Sequence, residues 1–343
     1  MDFHLFLTLE WLLVFHHSLS KRGYSSTIKI NCQTFYNTFS KLYHKDMEIN
    51  YKDIVVQSPR QKQTIYSYLK MNGYSENFLK NLRKVFGYIK LNGVASNSDV
   101  YIKQGDIISI NVNPNTKTSI YPCIIPLDIV YEDNDVVAVN KPSMLATMPS
   151  KSHFSYNLSG ALVARYESQP NFVVRIINRL DKEACGIVLV AKNSLASNFL
   201  NQPNNVTKTY YALCDGILTH DYVIDKNIET LINKDGYNIN KRVVSTKTGK
   251  PATTYVNVVK TFDDYTLVKI TLEHGRTHQI RVHMSSIGHP LLGDTLYGGS
   301  TELISHTALC CKELSFISPS SLQPIFLNIP FPADFIKLLG NEV

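Results

Sequence analysis

Apolar residues recur along this chain in two periods, one near 3.6 and one near 2, and the switches between them mark out the elements. Tyr66, Leu69 and Met71 predict a short helix. Gly73-Tyr74-Ser75 reads as a turn, with Ser75 capping a second helix over 76–85 in which Phe78, Leu82 and Val85 recur at helical spacing. Tyr88 to Leu91 alternates as a strand into the turn Asn92-Gly93, and Gly105-Asp106 precedes another alternating run over 107–112. Further on, strands are predicted at 136–139, 187–191, 208–214, 254–259 and 265–272, with helices at 155–166 and 194–200. On the strand over 208–214 the alternation places Tyr210, Ala212 and Cys214 on one face. Thr277 is positioned to cap a helix ending at Gly288, with Ile280, Met284 and Ile287 as its apolar stripe. A small helix-and-strand module followed by a strand-rich portion with few helices predicts an α+β protein on a largely antiparallel sheet. The expected divisions are an extension over 1–46, a small module over 51–113, a Pro-marked linker over 114–126 and a large domain over 127–335.

Charge sharpens that division. Residues 1–120 carry 15 Lys and Arg against 8 Asp and Glu, whereas 121–343 carry 20 of each, so the formal excess of +7 lies upstream. A basic accessory segment before a neutral body suits a polyanionic partner, of which nucleic acid is the commonest; a merely solvated basic face is the plainer alternative. Lys80, Arg83 and Lys84 crowd the polar side of the second helix and are the candidate phosphate contacts.

The six cysteines show no CxxC spacing and are too sparse for a disulfide scaffold, which fits a reducing compartment such as the cytoplasm. The apolar run from Phe3 to Phe15 is short for a bilayer span and contains Glu10, so no membrane segment is expected. No acidic residue occurs from His16 to Lys45, which leaves open a targeting segment for an organelle matrix, an unstructured extension, or translation assigned from an upstream Met. All three make 1–46 dispensable. His278 and His283, five residues apart on a helix, point about 140° away from each other, so no metal site is expected.

Polar residues gather at turns and strand ends in three stretches, where chemistry can reach solvent. They are Asn178-Arg179-Leu180-Asp181-Lys182-Glu183-Ala184-Cys185-Gly186, Lys208-Thr209-Tyr210-Tyr211-Ala212, and Gly275-Arg276-Thr277-His278-Gln279-Ile280-Arg281-Val282-His283 running on to Gly288-His289-Pro290-Leu291-Leu292-Gly293-Asp294. Taken singly, Asp181 reads as a turn carboxylate, Tyr210 as a strand-core tyrosine and Arg281 as a surface charge. Taken together, and with Tyr131-Glu132-Asp133 and Asn140-Lys141-Pro142 upstream, they resemble the RluA family of RNA pseudouridine synthases over about 126–332. The family's HRLDxxTSG signature matches Asn178 to Gly186, and its GRTHQIRVH…GHPxxGD signature is complete from Gly275 to Asp294. The small module resembles the α-L RNA-binding module of the ribosomal S-four type at Leu69, Arg83, Gly87, Asn92-Gly93 and Gly105-Asp106.

The resemblance implies a central cleft in a mixed sheet and a cofactor-free isomerase that turns uridine into pseudouridine in RNA. By the same resemblance Asp181 is the catalytic carboxylate, Tyr210 stacks on the target uracil, Arg281 pairs with the aspartate, and Arg179 helps hold the strand open. Ile280 packs on the flipped base, and Leu180, Arg276 and Gln279 complete the substrate-binding set. Pairing with Arg281 is expected to outweigh burial and keep Asp181 ionised. A positioned carboxylate can attack covalently or remove a ribose proton to give a glycal-like intermediate, and both routes stay open. Ribosomal RNA is the favoured substrate, with transfer RNA as the alternative, and the protein is expected to act as a monomer.

The chain departs from the family pattern at Asn178 in place of His, Ala184-Cys185 in place of Thr-Ser, Met144 where Gly is common, and Cys310-Cys311 in place of His-Ala. The lost hydroxyls would ordinarily bond the loop backbone. A rival reading is a weakly active RNA binder that assists ribosome assembly; retention of Asp181, Tyr210 and Arg281 together argues against it.

Overall fold

The computed structural model describes residues 51–112, 119–150, 154–169, 172–232, 238–245 and 247–340. The extension 1–46 lies outside the described residues, as does 113–118 of the expected linker.

Six elements form the first compact layer: β1 (Tyr51–Val55), α1 (Ile65–Met71), α2 (Glu76–Arg83), β2 (Ile89–Leu91), β3 (Val94–Ala95) and β4 (Ile107–Asn111). Thr64 and Ser75 cap the two helices by accepting from the N–H groups of Ser67 and Phe78. The second helix stops at Arg83, short of the expected 85, because the chain turns at Gly87 with φ +95°, and Val85 is exposed. Asn92 and Gly93 take φ of 50° and 83°, the paired positive values of a two-residue hairpin turn that matches strand twist. The antiparallel strands run in the order β1-β4-β2-β3 and bury Ile65, Leu69, Phe78, Leu82, Ile108 and Ile110 against the helices.

The large sheet is built from β5 (Asp128–Glu132), β6 (Val136–Lys141), β7 (Arg175–Ile176), β8 (Cys185–Ala191), β9 (Val206–Asp215) and β10 (Tyr222–Asp225), then β13 (Thr253–Thr261), β14 (Tyr265–Leu272), β15 (Leu309–Ile317) and β16 (Pro324–Asn328). Between β10 and β13 a separate hairpin forms from β11 (Asn227–Ile232) and β12 (Asn238–Ser245). The main order is β10-β13-β14-β9-β15-β8-β6-β5, with β16 also on β15 and β7 also on β8. All these pairs are antiparallel except β15 with β8, where Cys310 faces Cys185 and Cys311 faces Gly186. Gly186 has φ +110°, and a Cβ there would stand 2.4 Å from the Cys311 carbonyl oxygen, so only glycine allows this parallel seam.

Alternation along the central strands sends side chains into two cores. Val137, Val139, Val188, Val190, Tyr210, Ala212 and Cys214 lie on one face with Leu158 and Leu162 of α3 (Leu158–Arg165) and Ile280 and Met284 of α5 (Gln279–Ser286). Val136, Ala138, Ile187, Leu189 and Leu213 lie on the other with α4 (Ser194–Leu200) and α6 (Ala333–Leu339). All seven residues of β8 are buried, which makes it the axis of the domain. Fully burying a Leu or Ile contributes about 1.5–3 kcal/mol.

The helix expected over 155–166 begins only at Leu158, because Asn157 is extended and its side chain caps the N–H of Gly160 at 2.9 Å. The first layer meets the large domain at α4. The Asn198 side chain accepts from Ser75 N at 2.7 Å and donates to Gly73 O at 2.7 Å, Gln202 also donates to Gly73 O at 2.9 Å, and Leu195 packs into the core of the small layer. No helix among the described residues is long and apolar enough to cross a membrane.

Candidate active site

The loop between β7 and β8 carries Asp181 out of the most buried strand of the protein. Its backbone is held from several sides. Thr147 Oγ1 donates to Leu180 O at 2.6 Å, and the Lys141 ammonium donates to the carbonyls of Ala184 at 2.5 Å and Lys182 at 3.3 Å. Lys141 also donates to Pro142 O and Leu145 O, at 2.9 and 2.8 Å. Asn178 donates to Ile187 O at 2.8 Å and accepts from Leu189 N at 2.7 Å, like a short extra strand beside β8. The loop that lacks the family's Thr-Ser hydroxyls is thus ordered by Thr147, Lys141 and Asn178. Met144 has φ +63°, a left-handed position that explains why glycine is common there in the family.

Asp181 stands at the wall of a cavity of about 290 Å³. Every catalytic and substrate-binding residue expected from the sequence lines it: Asp181, Tyr210 and Arg281, with Arg179, Leu180, Ile280, Arg276 and Gln279. Tyr210 comes from β9, is 7% exposed, and burial raises its hydroxyl well above the usual pKa, so the phenol keeps its proton. Ile280 and Leu180 are buried apolar wall, and Arg179 is exposed at the rim. Gln279 touches the cavity, but its amide is engaged within the protein. It donates to Thr253 O and Thr254 Oγ1 at 3.0 and 3.1 Å and accepts from Arg276 N at 2.9 Å, fixing the 275–279 loop to β13.

The charge on Arg281 is shared among three carboxylates. Asp294, fully buried, takes two bonds of 2.7 Å from Nε and Nη2; Glu183 sits 3.0 Å from Nη2, and Asp181 lies 3.5 Å from Nη1. Burial acts against the guanidinium charge, but Asp294, Asp181 and Glu183 more than offset it and raise its pKa. The expected Arg281–Asp181 pairing is therefore the longest of three, and the bidentate bond to Asp294 is what sets the guanidinium plane. Asp294 and Glu183 lie within the two sequence signatures, and only the folded chain shows that their oxygens converge on one cation.

Thr277 does not cap the α5 helix as its position predicts. His278 precedes the helix in the left-handed conformation, φ +56°, and no side chain caps it. Ahead of the helix, the Gln279 side chain accepts instead from the Arg276 N–H. His278 lies 3.9 Å from Asp181 and 3.0 Å from Tyr297 Oη, two neighbours that sequence spacing does not reveal. His283 is buried against Thr254 Oγ1 and Lys226 O, and among the described residues no cluster of His, Cys, Asp and Glu is suited to a metal ion.

The three basic residues of the small layer are not part of this cavity. Lys80 and Lys84 are exposed, while Arg83 is engaged by Asp99 at 2.6 Å and Ser98 and lies 4.2 Å from the Tyr66 ring centroid.

An ionisable carboxylate facing an apolar, aromatic-walled cavity, with a guanidinium fixed beside it, can perform acid–base or nucleophilic work on a planar ring without a cofactor. The family model for RNA pseudouridylate synthase matches residues 135–286, which span this loop, β9 and α5. An uncharacterized RNA pseudouridine synthase of Bacillus subtilis, YjbO, is 34% identical over 284 residues, covering 81% of this chain and 99% of that protein. The ribosomal large subunit pseudouridine synthase D of Neisseria meningitidis is 36% identical over 253 residues, covering 69% of this chain and 67% of its own. Among solved structures, human RNA pseudouridylate synthase domain containing 1 covers 64% of this chain and 87% of its own at 24% identity, with a TM-score of 0.49. Matched over 81% of its length by such a relative, with both signatures gathered around one cavity, this chain belongs to the RluA-type family of RNA pseudouridine synthases, isomerases that convert uridine to pseudouridine in RNA.

Proposed function

We propose that this enzyme modifies uridines in structured large-subunit ribosomal RNA, with Asp181 as the catalytic carboxylate. The observation that carries the assignment is the convergence of Asp181, Tyr210 and the Asp294-braced Arg281 on one cavity. The reaction is an isomerisation: the bond from ribose C1′ to uracil N1 breaks, the ring turns, C1′ rejoins at C5, the C5 proton leaves to solvent, and N1 takes up a proton in its place. Asp181 starts it, either by bonding to the sugar or by taking a ribose proton. Tyr210 offers its ring to the uracil. A base taken out of a stem costs a few kcal/mol, roughly the range that stacking on an aromatic ring returns. Ile280 and Leu180 keep water from the ring, and Arg179 at the rim meets the strand that the base has left. Lys80 and Lys84 of the small layer supply phosphate contacts away from the site.

The ribosomal target is supported by the large-subunit synthases among the relatives and by the likeness of the small layer to a ribosomal RNA binder. Transfer RNA is the competing substrate. The five described cysteines are all unbridged, which fits a reducing compartment such as the cytoplasm. The decisive test is Asp181→Asn, which removes only the ionisable oxygen. On [5-3H]uridine-labelled total RNA from cells lacking the protein, the variant should bind RNA as the wild type does and release no tritium. Substantial release would overturn the assignment, and mapping pseudouridines in the same RNA distinguishes ribosomal from transfer targets.

A further inference from the structure

Tyr297 makes two hydrogen bonds through one hydroxyl. The backbone N–H of Arg242, in β12, donates to Oη at 2.8 Å, and Oη lies 3.0 Å from Nδ1 of His278. An amide N–H can only donate, so Oη accepts there and keeps its own proton available for Nδ1. In that arrangement Nδ1 is the acceptor of a neutral imidazole, and the ring proton is on Nε2. That atom faces Asp181, 3.9 Å from Oδ2. Burial lowers the pKa of His278; Asp181 and Asp294 oppose this and Arg281 and Arg242 add to it, so the ring is neutral at neutral pH.

We propose that His278 and Tyr297 are positioning residues for Asp181. The tyrosine hydroxyl fixes the imidazole tautomer, and the Nε2–H orients the catalytic carboxylate when bound RNA closes the 3.9 Å gap to a hydrogen bond. The chain of bonds ends on the backbone of hairpin β11–β12, so the hairpin's seating and the aspartate's orientation are linked.

Two further observations support this. The apolar cluster of Ile228, Ala252, Val282 and Tyr297 accounts for the aromatic ring, but a phenylalanine would fill it equally well; the hydroxyl bonded at both ends is left over. His278 also holds φ +56°, a conformation that disfavours a histidine by about 1 kcal/mol or more and that Asn or Gly would adopt with less strain. Catalytic bonds long in the free enzyme commonly tighten once substrate is bound.

The inference rests on Asp181 being the catalytic carboxylate, and its test separates the two. Three variants are measured for tritium release from the same labelled RNA. Tyr297→Phe keeps the ring and removes the bond. His278→Asn suits the left-handed backbone and can still meet Tyr297, but it lacks a donor at the Nε2 position, whereas His278→Gln places an amide N–H there. We expect kcat to fall about tenfold in Tyr297→Phe and His278→Asn with KM changed less than about twofold, and His278→Gln to recover most of the loss. Wild-type kcat in either of the first two, a loss confined to KM, or His278→Gln no faster than His278→Asn would overturn the inference. In each of those cases an inactive Asp181→Asn would leave the proposed function standing.

Discussion

The Lys141 ammonium lies fully buried among four carbonyl oxygens and, among the described residues, forms no ion pair. Burial pushes its pKa down to about 8, against the weaker opposing influence of Cys185 and Asp181. Between about 8 and the ordinary 10.5 the unfolded chain holds a proton that the folded chain does not, so stability owed to this residue rises with pH across that window. The cost of burying the charge is fully present below about pH 8. We expect the stability difference between wild type and Lys141→Met, from urea unfolding, to widen from pH 8 to 10 in favour of the wild type, by up to about 3 kcal/mol. A difference that stays flat or narrows would show that the amine is charged in the folded state throughout. At this scale the lining of the cavity is legible because most of its residues belong to signatures contiguous in sequence. Lys141, Thr147 and Tyr297 are not legible there, because each acts through a backbone group or a partner far along the chain.

Elements with a clean apolar period were predicted close to their observed bounds. Tyr265–Leu272 and Ser194–Leu200 match residue for residue. The failures have physical causes. In β15 a bulge between Cys311 and Glu313 shifts the register, so alternation breaks inside the strand and the run did not read as one. The β11–β12 hairpin forms a two-stranded sheet of its own, and more than half of its strand residues are polar, a composition that resembles a loop. The small layer shows its apolar period plainly, and its described span 51–112 holds nine Lys and Arg against four Asp and Glu. Removing residues 1–113 should therefore leave tritium release intact while weakening RNA binding, relaxing site choice and flattening log Kd against log salt by roughly one to two units of slope. An unchanged slope with unchanged sites would refute an RNA-binding role for that layer.

Across the whole molecule, the α+β class and the antiparallel sheet follow from the order of predicted elements, but the sheet order does not. The parallel contact of β15 with β8 depends on Gly186, where a methyl group would meet the Cys311 backbone. Gly186→Ala should destabilise the protein by several kcal/mol, on the order of 3, through both the clash and the positive φ. We expect its urea unfolding, followed by circular dichroism, to separate into two steps; a single unshifted transition would show the seam to be unimportant. That seam also dictates a timetable for synthesis. Strands β5, β6 and β8, with Asp181, emerge from the ribosome first, and β9, β14 and α5, with Tyr210 and Arg281, follow as a second group of neighbours. In the sheet, β15, made after both, is the strand that joins them. A nascent chain that has not reached residue 309 lacks that joining strand, so we expect it to be inactive on the RNA around it, including the ribosome that is making it, until translation is almost complete.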